Sequence, residues 1–368
     1  MRIVQALGSS GRGGAERFFI RLAKAFHARG IPQVLLTRRK AWAAEHLEKA
    51  GIPAQSAWFG GRFDIVSRIK YRRVLQTLHA TVAINWMPHA VTACPQGPWV
   101  KVARIGKCYP LSTFASCDHL IANSLRVASY LEAQGWPPNR ISLIPNFVPE
   151  NNATPVRRAA FNTPEDAPLI LWLGRMARGK GPDIAVRALA ALPQGYLWMA
   201  GGGPYEDAVK ELAAQMGISS RIRFLGWRDD VHALLKSADL FIRSSRSEGI
   251  GYVLEAFSNG VPVISARSTD AERLIADGQT GLLVPKEDPA ALAQALNTLI
   301  VNRDLAGRLA VAGKAHFQAS FSEEPVVKMY LDLCHRLKDE YAWRTRQVPA
   351  AQPAGVPGPL PDSGGLAS

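Results

Sequence analysis

Residues 244–264 read Ser-Ser-Arg-Ser-Glu-Gly-Ile-Gly-Tyr-Val-Leu-Glu-Ala-Phe-Ser-Asn-Gly-Val-Pro-Val-Ile. The run Asp239-Leu240-Phe241-Ile242 just before them is short, apolar and of strand type. Ser244 to Gly251 is a polar loop with two glycines, and Tyr252 to Ser258 is a helix closed by Asn259-Gly260. Pro262 to Ile264 then starts another buried strand. A strand, a glycine-bearing loop and a helix opening on that loop form an anion site, because the first N–H groups of a helix lack internal partners and point outward. Glu248 and Glu255 cannot serve the anion itself, since like charges repel. They suit hydroxyl groups, as on a sugar or a ribose. Donors for phosphate and acceptors for hydroxyls in one loop match the needs of a nucleotide-sugar.

The units around this stretch repeat one rhythm. Arg2 to Leu7 reads as a strand, Gly8 to Gly14 as a glycine-rich loop and Ala15 to Arg29 as a helix with Phe18, Leu22, Ala25 and Phe26 on one face. Gln33 to Thr37 follows as a strand, so the start is a βαβ unit and implies a parallel sheet. Further strands are expected near Ala54–Trp58, Val82–Asn85, Val100–Ile105, His119–Ala122 and Ile141–Ile144. Helices are expected at about 43–50 and 65–79, and from the Asn123-Ser124 cap to Gly135. Pro145 to Asn152 breaks the pattern and marks a domain boundary near residue 150. A second series runs from Pro168–Leu173 through strands at Tyr196, Ile222, Leu240, Pro262 and Gly281. The expected organisation is therefore α/β, with two Rossmann-like doubly wound domains, 1–150 and 151–322, facing across a cleft. A helix over 323–343 and a proline- and glycine-rich disordered tail over 344–368 complete it.

Charge is confined to one half. Residues 1–150 hold 20 Lys and Arg against 7 Asp and Glu, a net +13 of the chain's +14, leaving 24 against 23 for the rest. Such a domain is expected to meet something anionic: nucleic acid, phospholipid headgroups or a phosphorylated substrate. The four cysteines show no CxxC pair, no signal peptide precedes the first strand, and no apolar run reaches the ~18 residues of a membrane span. These features point to a reduced, cytoplasmic setting in which any membrane contact is peripheral.

Residues 248–264 resemble the donor-site signature of glycosyltransferase family 4, retaining enzymes of the GT-B fold. The six residues between Glu248 and Glu255 are one fewer than that family usually has. Leu173-Gly174-Arg175 and Gly179-Lys180-Gly181-Pro182 match its Gly-Arg…Lys-Gly motif, which implies that Arg175 and Lys180 clamp the donor diphosphate beside Gly174. The resemblance further implies catalytic roles for Arg175, Lys180 and Glu248, with Glu248 on the transferred sugar. Gly249, Ile250 and Gly251 would bind the diphosphate through their amides, and Glu255 the ribose. Asn146 matches the family's Pro-Asn element, Ala200 to Pro204 its glycine loop, and Leu225-Gly226-Trp227-Arg228 the strand end whose backbone meets the nucleobase.

Gly13, Gly14 and Glu16 resemble its Gly-Gly-Ala-Glu loop, expected opposite the donor, with His89 a candidate acceptor-side group. No register of that loop gives GxGxxG, which disfavours a dinucleotide oxidoreductase. Many family members place a His after the strand that here ends Arg104-Ile105-Gly106; this chain has none there. Segments at 104–109, 117–119 and 134–137 are similar to a bacterial branch associated with envelope and lipopolysaccharide sugars.

The resemblance implies transfer of a hexose-type sugar from a nucleotide-diphosphate sugar to a glycan or lipid-linked acceptor, by direct front-face chemistry. No cofactor beyond the donor and no metal is implied, since the basic clamp neutralises the diphosphate. The expected partners are the donor, the acceptor and an anionic membrane surface reached by Arg38, Arg39, Lys40, Arg68, Lys70, Arg72 and Arg73, at the inner face of the cytoplasmic membrane. The alternatives are a non-catalytic nucleotide-sugar binder and a nucleic-acid-binding protein. No RRM, KH or helix-turn-helix pattern supports the latter.

Overall fold

The structure, a computed structural model, describes residues 1–61, 63–149, 152–246 and 251–347, with 342–347 described by backbone alone. Its first sheet is built from β1 (Ile3–Leu7), α1 (Gly14–Ala28), β2 (Gln33–Arg38), α2 (Trp42–Glu48), β3 (Ala54–Ala57) and α3 (Ile65–Thr77). β4 (Val82–Trp86), α4 (Met87–Ala93), β5 (Val100–Ile105), β6 (His119–Ala122), α5 (Leu125–Ala133) and β7 (Ile141–Leu143) complete it. The strands lie in the order β3-β2-β1-β4-β5-β6-β7, every neighbour parallel. β1, β4, β5 and β6 are buried throughout, as strands must be when helices cover both faces of a sheet. The tail beyond residue 347 lies outside the described residues.

The second half repeats the scheme with β8 (Leu169–Leu173), α6 (Pro182–Ala190), β9 (Tyr196–Ala200), α7 (Glu206–Gln215), β10 (Ile222–Gly226), α8 (Val231–Ser237) and β11 (Leu240–Arg243). α9 (Gly251–Ser258), β12 (Val263–Ala266), α10 (Thr269–Leu274), β13 (Leu282–Val284), α11 (Pro289–Val301), α12 (Arg303–Ser320) and α13 (Glu323–Gln347) follow. Its parallel sheet has the order β10-β9-β8-β11-β12-β13. In both sheets the strand order reverses beside the first strand, which opens a crevice at the carboxyl ends of the strands.

Two features join the halves. Phe147 is buried in the first domain's core, ring to ring with Phe18 at 5.1 Å, while Val148, the next residue, belongs to a core of the second domain. α13 then crosses back: Val326, Val327, Tyr330, Leu333, Cys334 and Leu337 pack into the first domain's core. Arg29 meets Glu323 and Glu324 at 2.6 Å each at the start of that return. Helix α4 is absent from the sequence reading, which named no helix between the strands at Val82–Asn85 and Val100–Ile105. Pro88 lies in the helix's first turn, where its missing N–H costs nothing.

Candidate active site

Two loops that are far apart in sequence build one wall of the cleft. The first runs from β8 to α6 and carries Gly174, Arg175 and Lys180; the second leaves β11 as Ser244-Ser245-Arg246. Ser244 Oγ donates to the Gly181 carbonyl at 2.6 Å, and Ser245 Oγ to the Gly179 carbonyl at 3.0 Å. Arg246 holds both oxygens of Asp183 at 2.8 Å and reaches Glu287 at 2.7 Å. Burial pushes the Asp183 carboxyl up, but the hydrogen bonds and charge of Arg246 outweigh it and leave Asp183 below the usual carboxylate range. That linkage has a sign. The pair's contribution to stability is fully present above the unfolded pKa of about 4 and is lost as pH falls through the lower folded value. Urea titrations of the wild type and Asp183→Asn are expected to differ at pH 7 and to converge as pH falls through the lowered folded value of Asp183.

A cavity of about 590 Å³ opens on this wall. Gly174, Arg175, Lys180, Gly251 and Glu255 line it from the second domain, and Gly13 and Gly14 from the first. Arg175 is exposed and Lys180 half-buried, and neither forms an ion pair with a described residue. Burial, then the neighbouring Arg243 guanidinium, pulls the Lys180 ammonium below the usual lysine range. A cation held in that state is stabilised by an incoming anion. Glu255, on α9's second turn, faces the same space; burial pushes its carboxyl up while Arg21 and Arg17 of α1 pull it back. Glu248, Gly249 and Ile250 lie outside the described residues.

The remaining candidates are placed differently. Glu16 is 5% exposed and turns into its own loop, where it accepts from Ser9 Oγ at 2.5 Å. His89 is exposed and lines neither this cavity nor the larger one beside it; a Cβ on Gly61 would stand 3.7 Å from its Nδ1.

The structure adds Arg12, Arg17 and Arg21 to the cavity wall. The four-residue spacing of Arg17 and Arg21 is a helical-face signal that the apolar stripe of α1 had masked. Trp227 is also added, 69% exposed, with its indole against the Gly202 backbone where a Cβ would lie 2.9 Å from Nε1. An exposed indole at a cavity rim offers a stacking face for an aromatic base. Asn146 joins this cavity to its larger neighbour and takes a hydrogen bond from Arg104.

The model for glycosyl transferases group 1 matches residues 154–316, and that for Glycosyltransferase Family 4 matches residues 12–152. The lipopolysaccharide core biosynthesis glycosyltransferase LpsE of Rhizobium meliloti is 34% identical over 327 residues, 87% of this chain and 95% of that protein. This chain is a family 4 glycosyltransferase. LpsD of the same organism, also a lipopolysaccharide core biosynthesis glycosyltransferase, is 30% identical over 88% of this chain and 95% of its own length. Among solved structures, Anabaena HepE in complex with UDP superposes with a TM-score of 0.78 at 20% identity, covering 91% of this chain and all of that one. The fold is thus GT-B, and the family consists of enzymes, so the non-catalytic alternatives are not favoured.

Proposed function

We propose that this glycosyltransferase moves a hexose-type sugar, with retention, from a nucleotide-diphosphate sugar to a lipid-linked acceptor in lipopolysaccharide or related envelope biosynthesis. The observation that carries the reading is the pair Arg175 and Lys180, cations without carboxylate partners among the described residues, in one cavity with Gly174, Gly251 and Glu255. The UDP held by HepE and the naming of both Rhizobium relatives support the donor and the pathway.

In the step itself the bond from the anomeric carbon to the diphosphate breaks as the bond to the acceptor oxygen forms on the same face. The acceptor proton passes to a departing phosphate oxygen, so no protein base on the reactive face is needed. Arg175 and Lys180 take up the charge that develops on the leaving group, without reorganising. Glu255 binds the ribose hydroxyls, Trp227 stacks on the base, and Glu248 holds the transferred sugar. The clamp makes a metal unnecessary.

Thermal-shift screening against UDP, GDP, ADP and CMP and their sugars tests this reading. One diphosphate at a hundredfold excess over Kd is expected to add about 2.7 kcal/mol, and Glu255→Ala to abolish the shift. No shift with any nucleotide would sink the donor site.

The acceptor face meets the membrane in this proposal. Trp58, Phe63, Ile65, Val66 and Ile69 are between 60% and 91% exposed, five large apolar side chains within twelve positions. Arg38–Lys40 stand beside them, because β2 pairs with β3 and the Arg39 N–H bonds the Ala57 carbonyl at 3.1 Å. Arg68, Arg72 and Arg73 are exposed on the same helix, α3. Apolar side chains ringed by cations suit the interface of an anionic leaflet. Among the described residues no helix is long and apolar enough to cross a membrane. The double variant Trp58→Ser/Phe63→Ser is expected to lower partitioning onto anionic vesicles by at least about tenfold with no change in Tm. Unchanged partitioning in a sedimentation assay would move the contact elsewhere.

A further inference from the structure

The interdomain cleft continues past the donor cavity. Beyond Asn146, Gly251 and Leu254, which line both spaces, a second cavity of about 810 Å³ lies between the loops after β5 and β6 and the second domain's α10. Three cations line it: Lys107, Arg126 and Arg273. All three are exposed and none pairs with a described residue. The one carboxylate among the described residues of its lining, Asp270, is 6% exposed and already engaged.

Two further observations point to a ligand. The Asn123 Oδ1 atom is buried at this wall without a hydrogen-bond partner among the described residues, an acceptor suited to a sugar hydroxyl. At Gly106 a Cβ would lie 2.9 Å from Arg104 Nη1 and 3.7 Å from Asn123 Nδ2. The glycine leaves the Arg104 guanidinium directly behind the wall. Arg104 is 5% exposed, forms no ion pair with a described residue and stacks 5.3 Å from Phe18 and 5.1 Å from Trp86. With Arg104 behind the wall and Lys107, Arg126 and Arg273 on it, the described residues leave this part of the cleft net positive.

We propose that this second cavity is the acceptor subsite and that it selects a sugar bearing an acid group, a carboxylate or a phosphate, whose hydroxyl meets the donor across Asn146. The proposal rests on the glycosyl-transfer reading above. Lys107, Arg126 and Arg273 hold the acid, Asn123 takes a hydroxyl, and Arg104 is a positioning residue that fixes Asn146 between the two cavities.

The test is calorimetric. With the donor cavity filled by the nucleoside diphosphate that gives the thermal shift, the protein is titrated with methyl glucuronide and glucose 6-phosphate, and with methyl glucoside as the neutral control. At low salt at least one acid is expected to bind about tenfold more tightly than the neutral glycoside, the combined effect of two or three surface cations. The one that does names the acid group. In Arg126→Ala/Arg273→Ala the preference is expected to vanish while Tm and nucleotide binding stay at wild-type values. Equal binding of acids and neutral sugar, no binding of either acid, or a preference that survives the double variant would each overturn the proposal. A wild type that binds no nucleotide would instead overturn the functional reading beneath it.

Discussion

Lys180→Ala and Arg175→Ala are each expected to lower turnover at saturating donor by ~10²–10³, the effect of removing one preorganised group from a developing anion. The physical basis is the site's economy of counter-charge. Lys180 stands half-buried beside Arg243, itself 7% exposed and bonded to Ser265 and the Ala266 carbonyl. Two cations so placed repel each other, and a diphosphate would relieve the repulsion. The relief grows as the sugar departs and negative charge collects on the leaving oxygen, so the loss falls on kcat more than on KM. Arg175 differs in being exposed, with a planar fork suited to two phosphate oxygens at once. Steady-state kinetics with the donor found by thermal shift decide the matter. Wild-type rates in both variants would remove the clamp from the mechanism.

Gly201→Ala is expected to destabilise the second domain by at least ~3 kcal/mol, backbone strain and overpacking together. Gly201 has φ +136°, and a Cβ there would stand 1.8 Å from the Gly174 carbonyl oxygen. Nothing can yield, because the obstacle is backbone at the end of β8, immediately before Arg175. Gly217→Ala supplies the control: its φ is +69°, yet nothing lies within 4 Å of the added atom. It should cost about 1 kcal/mol, the conformational part alone. Thermal unfolding of the two variants separates contact from conformation. Similar small losses would mean that the β8 end and the glycine loop can part, and that the clamp is not braced from behind.

Much of the site was legible before any coordinates. Gly174, Arg175, Lys180, Gly251 and Glu255 could be singled out because a strand end, a glycine loop and a helix start fall at short spacing, and local physics makes such a junction an anion site. Trp227, Arg17 and Arg21 were not singled out for their side chains, since an indole on a loop and two arginines on an amphipathic helix have many ordinary explanations. Only their convergence on one cavity distinguishes them. Glu16 shows the converse: its motif suggested the acceptor side, but its carboxylate closes on Ser9.

The chain's order of apolar runs, loops and breaks was enough by itself to indicate two parallel α/β units, and its composition the basic character of the first half. These are local or compositional properties, set by the burial needs of successive short segments. Tertiary structure alone decided that Phe147 and Val148 enter opposite cores, that α13 returns to pack on Phe18 and Trp86, and that Ser244–Arg246 is stitched to Gly179–Asp183. It alone showed that Asn146 stands between two cavities, one lined by Arg175 and Lys180 and one by Lys107, Arg126 and Arg273. Such pairings join residues separated by tens to hundreds of positions, and no local preference encodes them. They arise when the faces left over from local folding are buried against one another.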